Sequence, residues 1–464
     1  MDKKLPPRFV RSFKDADIRG IVGEELDDDL AYAIAQAFVT EFKYKTVLVG
    51  YDMRVSTPSL AEAFMRGIED AGSDVINVGL VHSPMLYFAS GSMQLPGVMV
   101  TASHSPASYN GLKLVEPDAV PLTKSTGLTA ILKRVESGIV VKVEKRGRRR
   151  AKDVRHQYAK YILKGVKKNN LEKIKIAADI GNGMASVVMP LLSNELPIKF
   201  DTLFSDMDGT FPNRGSDPTT RKHQKYLAKQ LKMDKYDFGI SFDGDADRIA
   251  FLDEKGNYVN CAVIGAIIAE RLLKEEPGAG LVFTNLTSRI YEESIKAGGG
   301  KALRARVGHA FLKRKMREHK AVFGCEHSGH FFFRDFYYTD SVVLTLRYVL
   351  EAYVEAKKLG LTFSEMVKPY QVYQQLEDEV IEVEDKQRAL KAVETYIKKQ
   401  YPKADLKKFD GWYLTTDKAW GAVKPSVTEH ALKVMFEGDR KTDAKKVQDG
   451  LVAFIKKHAK TYRK

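Results

Sequence analysis

Short apolar runs recur along the chain, separated by longer stretches in which apolar positions return every three or four residues. Residues 46–50, 75–79, 98–101, 174–178, 238–242, 281–284 and 321–324 read as buried strands, and the stretch 60–71 among them has helical spacing. Short apolar runs ending in Gly, Thr or Asp and alternating with amphipathic segments predict α/β domains with mainly parallel sheets. The texture changes beyond residue 369. There a strand over 377–383, a helix over 386–400 and a strand over 412–415 predict a smaller α+β domain. The basic, Gly-containing stretch 146–152 reads as a linker, and further breaks fall near Gly256 and Pro369. The expected domains are 1–150, 151–256, 257–368 and 369–464.

Length agrees with several domains, since 464 residues is about three at ~150 residues each. With 44% apolar and 29% charged residues, the chain has the composition of a globular enzyme and not of a disordered segment. No apolar run approaches the ~20 residues that cross a bilayer. The start, MDKKLPPRFVRSFKDAD, has no apolar core of a signal peptide. Two cysteines, Cys261 and Cys325, are too few for a disulfide framework. The expectation is a cytoplasmic enzyme in a reducing compartment. The net charge of +15 is concentrated in KRGRRRAKDVR (145–155) and in the last twenty residues. Neither cluster carries interleaved aromatics that would stack on bases, so an anionic metabolite is the expected partner and nucleic acid is not.

Candidate chemistry sits where strands end. TASHSP (101–106) follows the strand over 98–101, and ligand groups in open α/β sheets gather at such carboxyl ends. Ser103, with His104 beside it and Lys113 downstream, fits a nucleophile with a nearby base. Ser, His and Pro are also ordinary turn residues, so a capping turn stays open. DGDADR (243–248) sets Asp243, Asp245 and Asp247 at alternate positions. Buried together they need a cation, and an all-oxygen site suits Mg²⁺ or Ca²⁺. An EF-hand fails, because Arg248 stands at loop position 6, where the turn needs glycine. A solvated acidic turn is the plainer alternative. GCEHSGH (324–330) offers Glu326 and Ser328 to hydroxyl groups, flanked by His327 and His330, with RVGH ending at His309 upstream. Its spacing matches no zinc pattern, and a polar sugar-binding turn fits better than a purely structural one. KPSVT (424–428) could hold a phosphate through Lys424, Ser426 and Thr428. Taken singly, the pairs Asp17/Arg19 and Asp52/Arg54 read as surface salt bridges.

In this order the motifs are no longer generic. Through FKDADIRG, YDMRVSTP, TASHSP with YNGLK, DGTFPN, DGDADR, RVGH, CEHSGH and KPSVTEH, the chain resembles the α-D-phosphohexomutase family over its whole length. The phosphomannomutase/phosphoglucomutase branch is the nearest. The resemblance implies three related mixed-sheet α/β domains and a C-terminal α+β domain around a central cleft, the heart-shaped architecture of that family. It implies interconversion of hexose 1-phosphate and hexose 6-phosphate, mannose and/or glucose, through a phosphoserine at Ser103 and a hexose 1,6-bisphosphate. Asp243, Asp245 and Asp247 would bind Mg²⁺, with the phosphorylated Ser103 as a further ligand. His104 and Lys113 match proton-transfer positions, and Arg19 matches an active-site arginine. Arg248, His309, Glu326, Ser328 and His330 would meet the sugar. Lys424, Ser426 and Thr428 would hold the phosphate that does not react.

The chain departs from the family pattern at Ser105, usually Asn, and in the phosphate loop, where Lys424 replaces Arg and Val427 a polar residue. CEHSGH reads as the mannose/glucose type, because glucosamine mutases usually carry Gln in this loop; phosphoglucosamine mutase is the main alternative. A Mg²⁺-dependent phosphatase with an aspartate nucleophile and a non-catalytic basic binding protein are more distant ones.

Overall fold

The computed structural model describes residues 6–138, 141, 143–426 and 430–459; Thr428, with Val427 and Glu429, lies outside them. The chain divides into two compact units. The first comprises the chain up to Val259 together with Ser328–Met366, and the second Asn260–His327 and the chain from Val367 onward. The strands among the described residues belong to four sheets, in keeping with three mixed-sheet α/β domains and a C-terminal domain whose sheet is antiparallel.

In the first unit, Thr46–Tyr51 runs parallel to Asp74–Leu80 on one side and to Gly97–Val100 on the other. Tyr109–Glu116 returns antiparallel beside Gly97–Val100, and Ile18–Ile21 closes that edge. Val47, Leu48 and Val49 are wholly buried, as the continuous apolar run requires of a strand covered on both faces. The helix Asp28–Phe42 starts at Asp27, whose carboxylate accepts from Leu30 N at 2.8 Å. It packs on the helix Thr57–Asp70 through Gly67, where a Cβ would stand 2.5 Å from Tyr32 O. The expected helix over 60–71 therefore begins three residues earlier, with Pro58 in its first turn.

The stretch expected as a linker is partly a strand. Arg149–Ala151 pairs in parallel with Val75–Asn77. Two contacts explain it: Arg149 meets Glu62 at 2.5 Å and Glu69 at 2.7 Å, and Gly147 crosses Ser73 so closely that a Cβ would lie 1.8 Å from its carbonyl oxygen. A basic run reads as solvated until its carboxylate partners, some 80 residues away, are placed beside it.

The second sheet of this unit has Lys175–Asp179 parallel to both Lys199–Leu203 and Phe238–Phe242, with Ile249–Asp253 antiparallel beyond. Asp179 is buried against Arg214, which also donates to Phe242 O at 2.8 Å and so fixes the carbonyl that precedes Asp243.

His82, which precedes the helix Ser83–Met93, is buried with Nε2 3.2 Å from Tyr158 Oη. Burial pulls its pKa down to about 3, outweighing the upward pull of Asp245 and Asp247. In the unfolded chain the same imidazole titrates near 6.5. Between those values the unfolded state binds one more proton, so His82's contribution is complete above pH ~6.5 and is lost as pH falls towards 3. We expect a loss of about 1.4 kcal/mol per pH unit from this group across that window. Urea unfolding at pH 7 and pH 5 checks it. His82→Gln should flatten the slope by one proton, and an unchanged slope would contradict the assignment.

In the second unit, Gly280–Thr284 lies parallel to Lys301–Ala305 and Phe323–Cys325. The C-terminal sheet is built on Ala431–Gly438 and Ala419–Pro425, flanked by Trp412–Thr415 and covered by the helices Lys386–Gln400 and Lys441–Ala459. Buried Glu437 ties these two parts together. It accepts from Arg289 N at 3.0 Å, from Trp420 Nε1 at 2.7 Å and from the Ser288 hydroxyl, at the start of the helix Arg289–Ala297.

Candidate active site

Gly97–Val100 and Phe238–Phe242 each end in a loop of the first unit, and the two loops meet. Gly244 makes the approach possible, since a Cβ there would lie 2.5 Å from Ser103 O. Ser103 itself is held with φ at 52°, a left-handed conformation costly for a serine. Its hydroxyl donates to Asp243 Oδ2 at 2.9 Å and lies 3.3 Å from His104 Nδ1.

What holds the strained serine loop is Arg54. Its guanidinium donates to the carbonyls of Ser103 (2.8 Å), Ser105 (2.7 Å), Pro106 (2.8 Å) and Tyr109 (2.9 Å). Asp52 balances the charge from 3.3 Å and is itself fixed by Thr57 Oγ1 at 2.7 Å. The surface salt bridge expected for Asp52/Arg54 is thus corrected: Arg54 is only 1% exposed. The planar fork of arginine suits several carbonyls at once, which an ammonium cannot match. The same correction applies to Asp17/Arg19: both residues are buried, with Arg19 2.6 Å from Asp17 and reaching Ser105 Oγ at 3.1 Å. Ser105, the departure from the family pattern, therefore supports the loop through Arg19.

Asp243, Asp245 and Asp247 are buried with one carboxylate oxygen each within 4.8 Å of the others. Lys113 Nζ lies 2.6 Å from Asp245 Oδ2 and 2.7 Å from Asp247 Oδ2. Asp243 Oδ1 accepts from the backbone N–H groups of Asp247 (3.0 Å) and Arg248 (3.1 Å). Burial, then the Asp247 and Asp245 charges, push the Asp243 carboxyl well up. Burial and Asp247 also push Asp245 up, but Lys113 and Ser83 prevail and its pKa is lowered. Asp247 is lowered strongly, with Lys113 and His330 overcoming burial. Burial opposes the Lys113 charge, yet the two aspartates hold its pKa well above the ordinary value. His104 is pushed well down, first by burial and then by Arg248 and Arg19, so its imidazole is neutral at pH 7.

The triad fits a small divalent cation on two observations. Three carboxylates are confined together, and Asp245 Oδ1 is buried without a hydrogen-bond partner. An all-oxygen donor set of this kind suits Mg²⁺.

Ser328 and His330 join this cluster. His330 Nε2 is 3.2 Å from Asp247 Oδ1, and its Nδ1 is 3.0 Å from Ser328 Oγ. Arg248 lies 3.7 Å from both Asp243 and Asp217.

The second unit gathers the remaining described candidates around the turn that ends Lys301–Ala305. Glu326 accepts from Gly308 N at 2.8 Å, and His309 opens the helix His309–His319. Asp410 accepts from Val307 N at 2.9 Å and pairs with Lys424 Nζ at 2.9 Å. Burial pulls the Lys424 ammonium down while Asp410 pushes it back up. Lys386 Nζ donates to Ser426 O at 3.0 Å, which brings a second ammonium to the end of the strand Ala419–Pro425. Sequence reasoning passed over Arg54 as a loop clamp, Ser83, Asp410 and Lys386. For Asp410 a weak signal existed: Asp410-Gly411 is a turn dipeptide, and both residues have positive φ.

Three domain models of one family match the chain. They are phosphoglucomutase/phosphomannomutase alpha/beta/alpha domain I over residues 10–139, domain II over 156–256 and domain III over 261–373. A phosphomannomutase of Methanocaldococcus jannaschii is 32% identical over 441 residues, 94% of this chain and 96% of the relative. A phosphomannomutase of Salmonella typhimurium is 36% identical over 347 residues, 73% of this chain and 76% of the relative. Among solved structures, a phosphoglucomutase/phosphomannomutase family protein of Burkholderia thailandensis superposes with a TM-score of 0.87 at 27% identity, covering 97% of this chain and 98% of its own. No helix among the described residues is long and apolar enough to cross a membrane. A serine loop clamped against a buried carboxylate triad, with three matching domain models and a near full-length phosphomannomutase relative, places the chain in the α-D-phosphohexomutase family as a hexose-phosphate mutase, an isomerase of the phosphoglucomutase/phosphomannomutase type.

Proposed function

We propose that the protein interconverts mannose and/or glucose 1-phosphate with the 6-phosphate through a phosphorylated Ser103 and a hexose 1,6-bisphosphate. The observation that carries this reading is the Ser103 hydroxyl 2.9 Å from Asp243 Oδ2, at the rim of the triad.

When Ser103 is loaded, Oγ attacks phosphorus and the bond from phosphorus to the sugar oxygen breaks. The Oγ proton passes to His104 Nδ1, 3.3 Å away and neutral, and from His104 to the departing sugar oxygen, which leaves as a hydroxyl. In the opposite half-reaction a sugar hydroxyl takes the phosphoryl group, and the proton returns to Oγ. Between the halves the bisphosphate reverses end for end, so the phosphoryl group is recovered from the other carbon.

Asp243, Asp245 and Asp247 would hold Mg²⁺, which when bound supplies positive charge to the phosphoryl oxygens. Lys113 and Arg19 add charge of the same sign from the protein, and such positioning and neutralisation are the main demands of phosphoryl transfer. Arg248, His309, Glu326, Ser328 and His330 are assigned to the sugar. Ser426, Thr428 and Lys424 are assigned to the distal phosphate. Because Lys424 is already paired with Asp410, its part is to orient the loop more than to lend it net charge.

Peptide mass spectrometry after incubation with hexose 1,6-bisphosphate and Mg²⁺ tests the reading. One added phosphoryl group is expected on Ser103. None there, in protein that turns over hexose 1-phosphate, would refute the phosphoserine route. Coupled assays with mannose, glucose and glucosamine phosphates assign the sugar.

A further inference from the structure

We propose that Ser83 is a positioning residue that keeps Asp245 a one-oxygen ligand and so tunes the triad to a small octahedral cation over Ca²⁺. The inference rests on the reading of the triad as a metal site.

Ser83 is wholly buried and opens the helix Ser83–Met93, with Pro84 next to it in the first turn. It grips Asp245 at two points. Its hydroxyl donates to Asp245 Oδ2 at 2.5 Å, and its backbone N–H donates to Asp245 O at 3.1 Å. Lys113 Nζ donates to the same Oδ2 at 2.6 Å. With two donors, the lone pairs of Oδ2 are used. Oδ1, buried and without a hydrogen-bond partner, is the oxygen left to face a cation. The two-point grip also fixes rotation of the carboxylate, because the main chain and side chain of Asp245 are anchored to one residue.

This arrangement discriminates between cations. Mg²⁺ requires near-ideal octahedral geometry and takes carboxylates through single oxygens. Ca²⁺ accepts six to eight ligands and tolerates a carboxylate that binds through both oxygens. Removing the Ser83 hydroxyl frees half of Oδ2's hydrogen bonding and lets Asp245 turn towards two-oxygen binding, which only the larger ion exploits.

The test uses the full-length unphosphorylated protein, with Mn²⁺ as an electron paramagnetic resonance probe and Mg²⁺ or Ca²⁺ as competitor. Ser83→Ala should weaken Mg²⁺ competition by roughly 10–100-fold, the usual cost of losing a residue that orients a metal ligand, and Ca²⁺ competition by much less. Ser83→Thr, which keeps the hydroxyl, should restore the wild-type Mg²⁺/Ca²⁺ ratio. An unchanged ratio in Ser83→Ala, or equal losses for both ions, would overturn the proposal, since a merely structural serine weakens the two alike. Thermal melts in a chelator report folding, and if alanine unfolds the helix start, Ser83→Cys carries the same comparison. Absence of saturable Mn²⁺ uptake by the wild type overturns the metal reading itself and the inference with it. Wild-type uptake with an unaltered ratio in Ser83→Ala overturns the inference alone.

Discussion

Ser103→Ala is expected to lower kcat for hexose-phosphate isomerisation by roughly 10⁴-fold or more, as the loss of a covalent nucleophile does elsewhere. The fold should survive. The hydroxyl makes one hydrogen bond to Asp243, a contribution of about 1 kcal/mol, and the loop is held by backbone contacts that alanine keeps. Metal affinity of the unphosphorylated protein should change little. A coupled assay for the product isomer, run beside an assay for free phosphate, separates the possibilities. Turnover that persists with release of phosphate would mean that an aspartate of the triad is the nucleophile. Turnover that persists as isomerisation would mean that the serine is not on the reaction path.

The second large effect belongs to Arg54, which contacts no substrate in the proposed reaction. Arg54→Ala strands the buried Asp52 charge and leaves the carbonyls of Ser103, Ser105, Pro106 and Tyr109 without their donor. Removing one partner of a buried ion pair costs about 3–5 kcal/mol, so this variant is expected to be strongly destabilised. Arg54→Lys is the more informative change. It keeps the charge opposite Asp52 but cannot spread donors over a loop that Arg54 contacts at four points. Its stability should fall less, while kcat drops by about 10²-fold because Ser103 is no longer held in line. Urea unfolding and steady-state kinetics on the folded variant check both numbers. A lysine variant with wild-type kcat would show that the loop holds its left-handed serine unaided. A fall confined to KM would mean that Arg54 acts on substrate binding.

Much of this site was legible in one dimension. DGDADR carries three acids at alternate positions, and their repulsion is a local fact of sequence that asks for a cation wherever the segment is buried. TASHSP follows an apolar run that could only be a covered strand, so its serine had to stand at a carboxyl end. Lys113 was named from its place downstream of TASHSP; that it bridges two acids 132 and 134 residues away was not readable. Arg54 was misjudged for the same reason. An arginine two residues from an aspartate looks like a surface pair, and its burial comes from Phe211, 5.1 Å from the guanidinium, and from the loop it clamps. The basic segment around Arg149 looked solvated until Glu62 and Glu69 stood beside it.

The sequence by itself determined the alternation of strands and helices, the sites of the polar loops and the chemical types gathered in them. These depend on periodicity, turn residues and chemical type, all of them local. Tertiary structure alone decided which oxygen of Asp245 has no hydrogen-bond partner, which cation already has a counterion, and which residues hold Ser103 in a strained conformation. Those properties depend on partners far away in the chain, and in a buried site of low polarity a charge or an orphan oxygen is governed by its nearest neighbour in space.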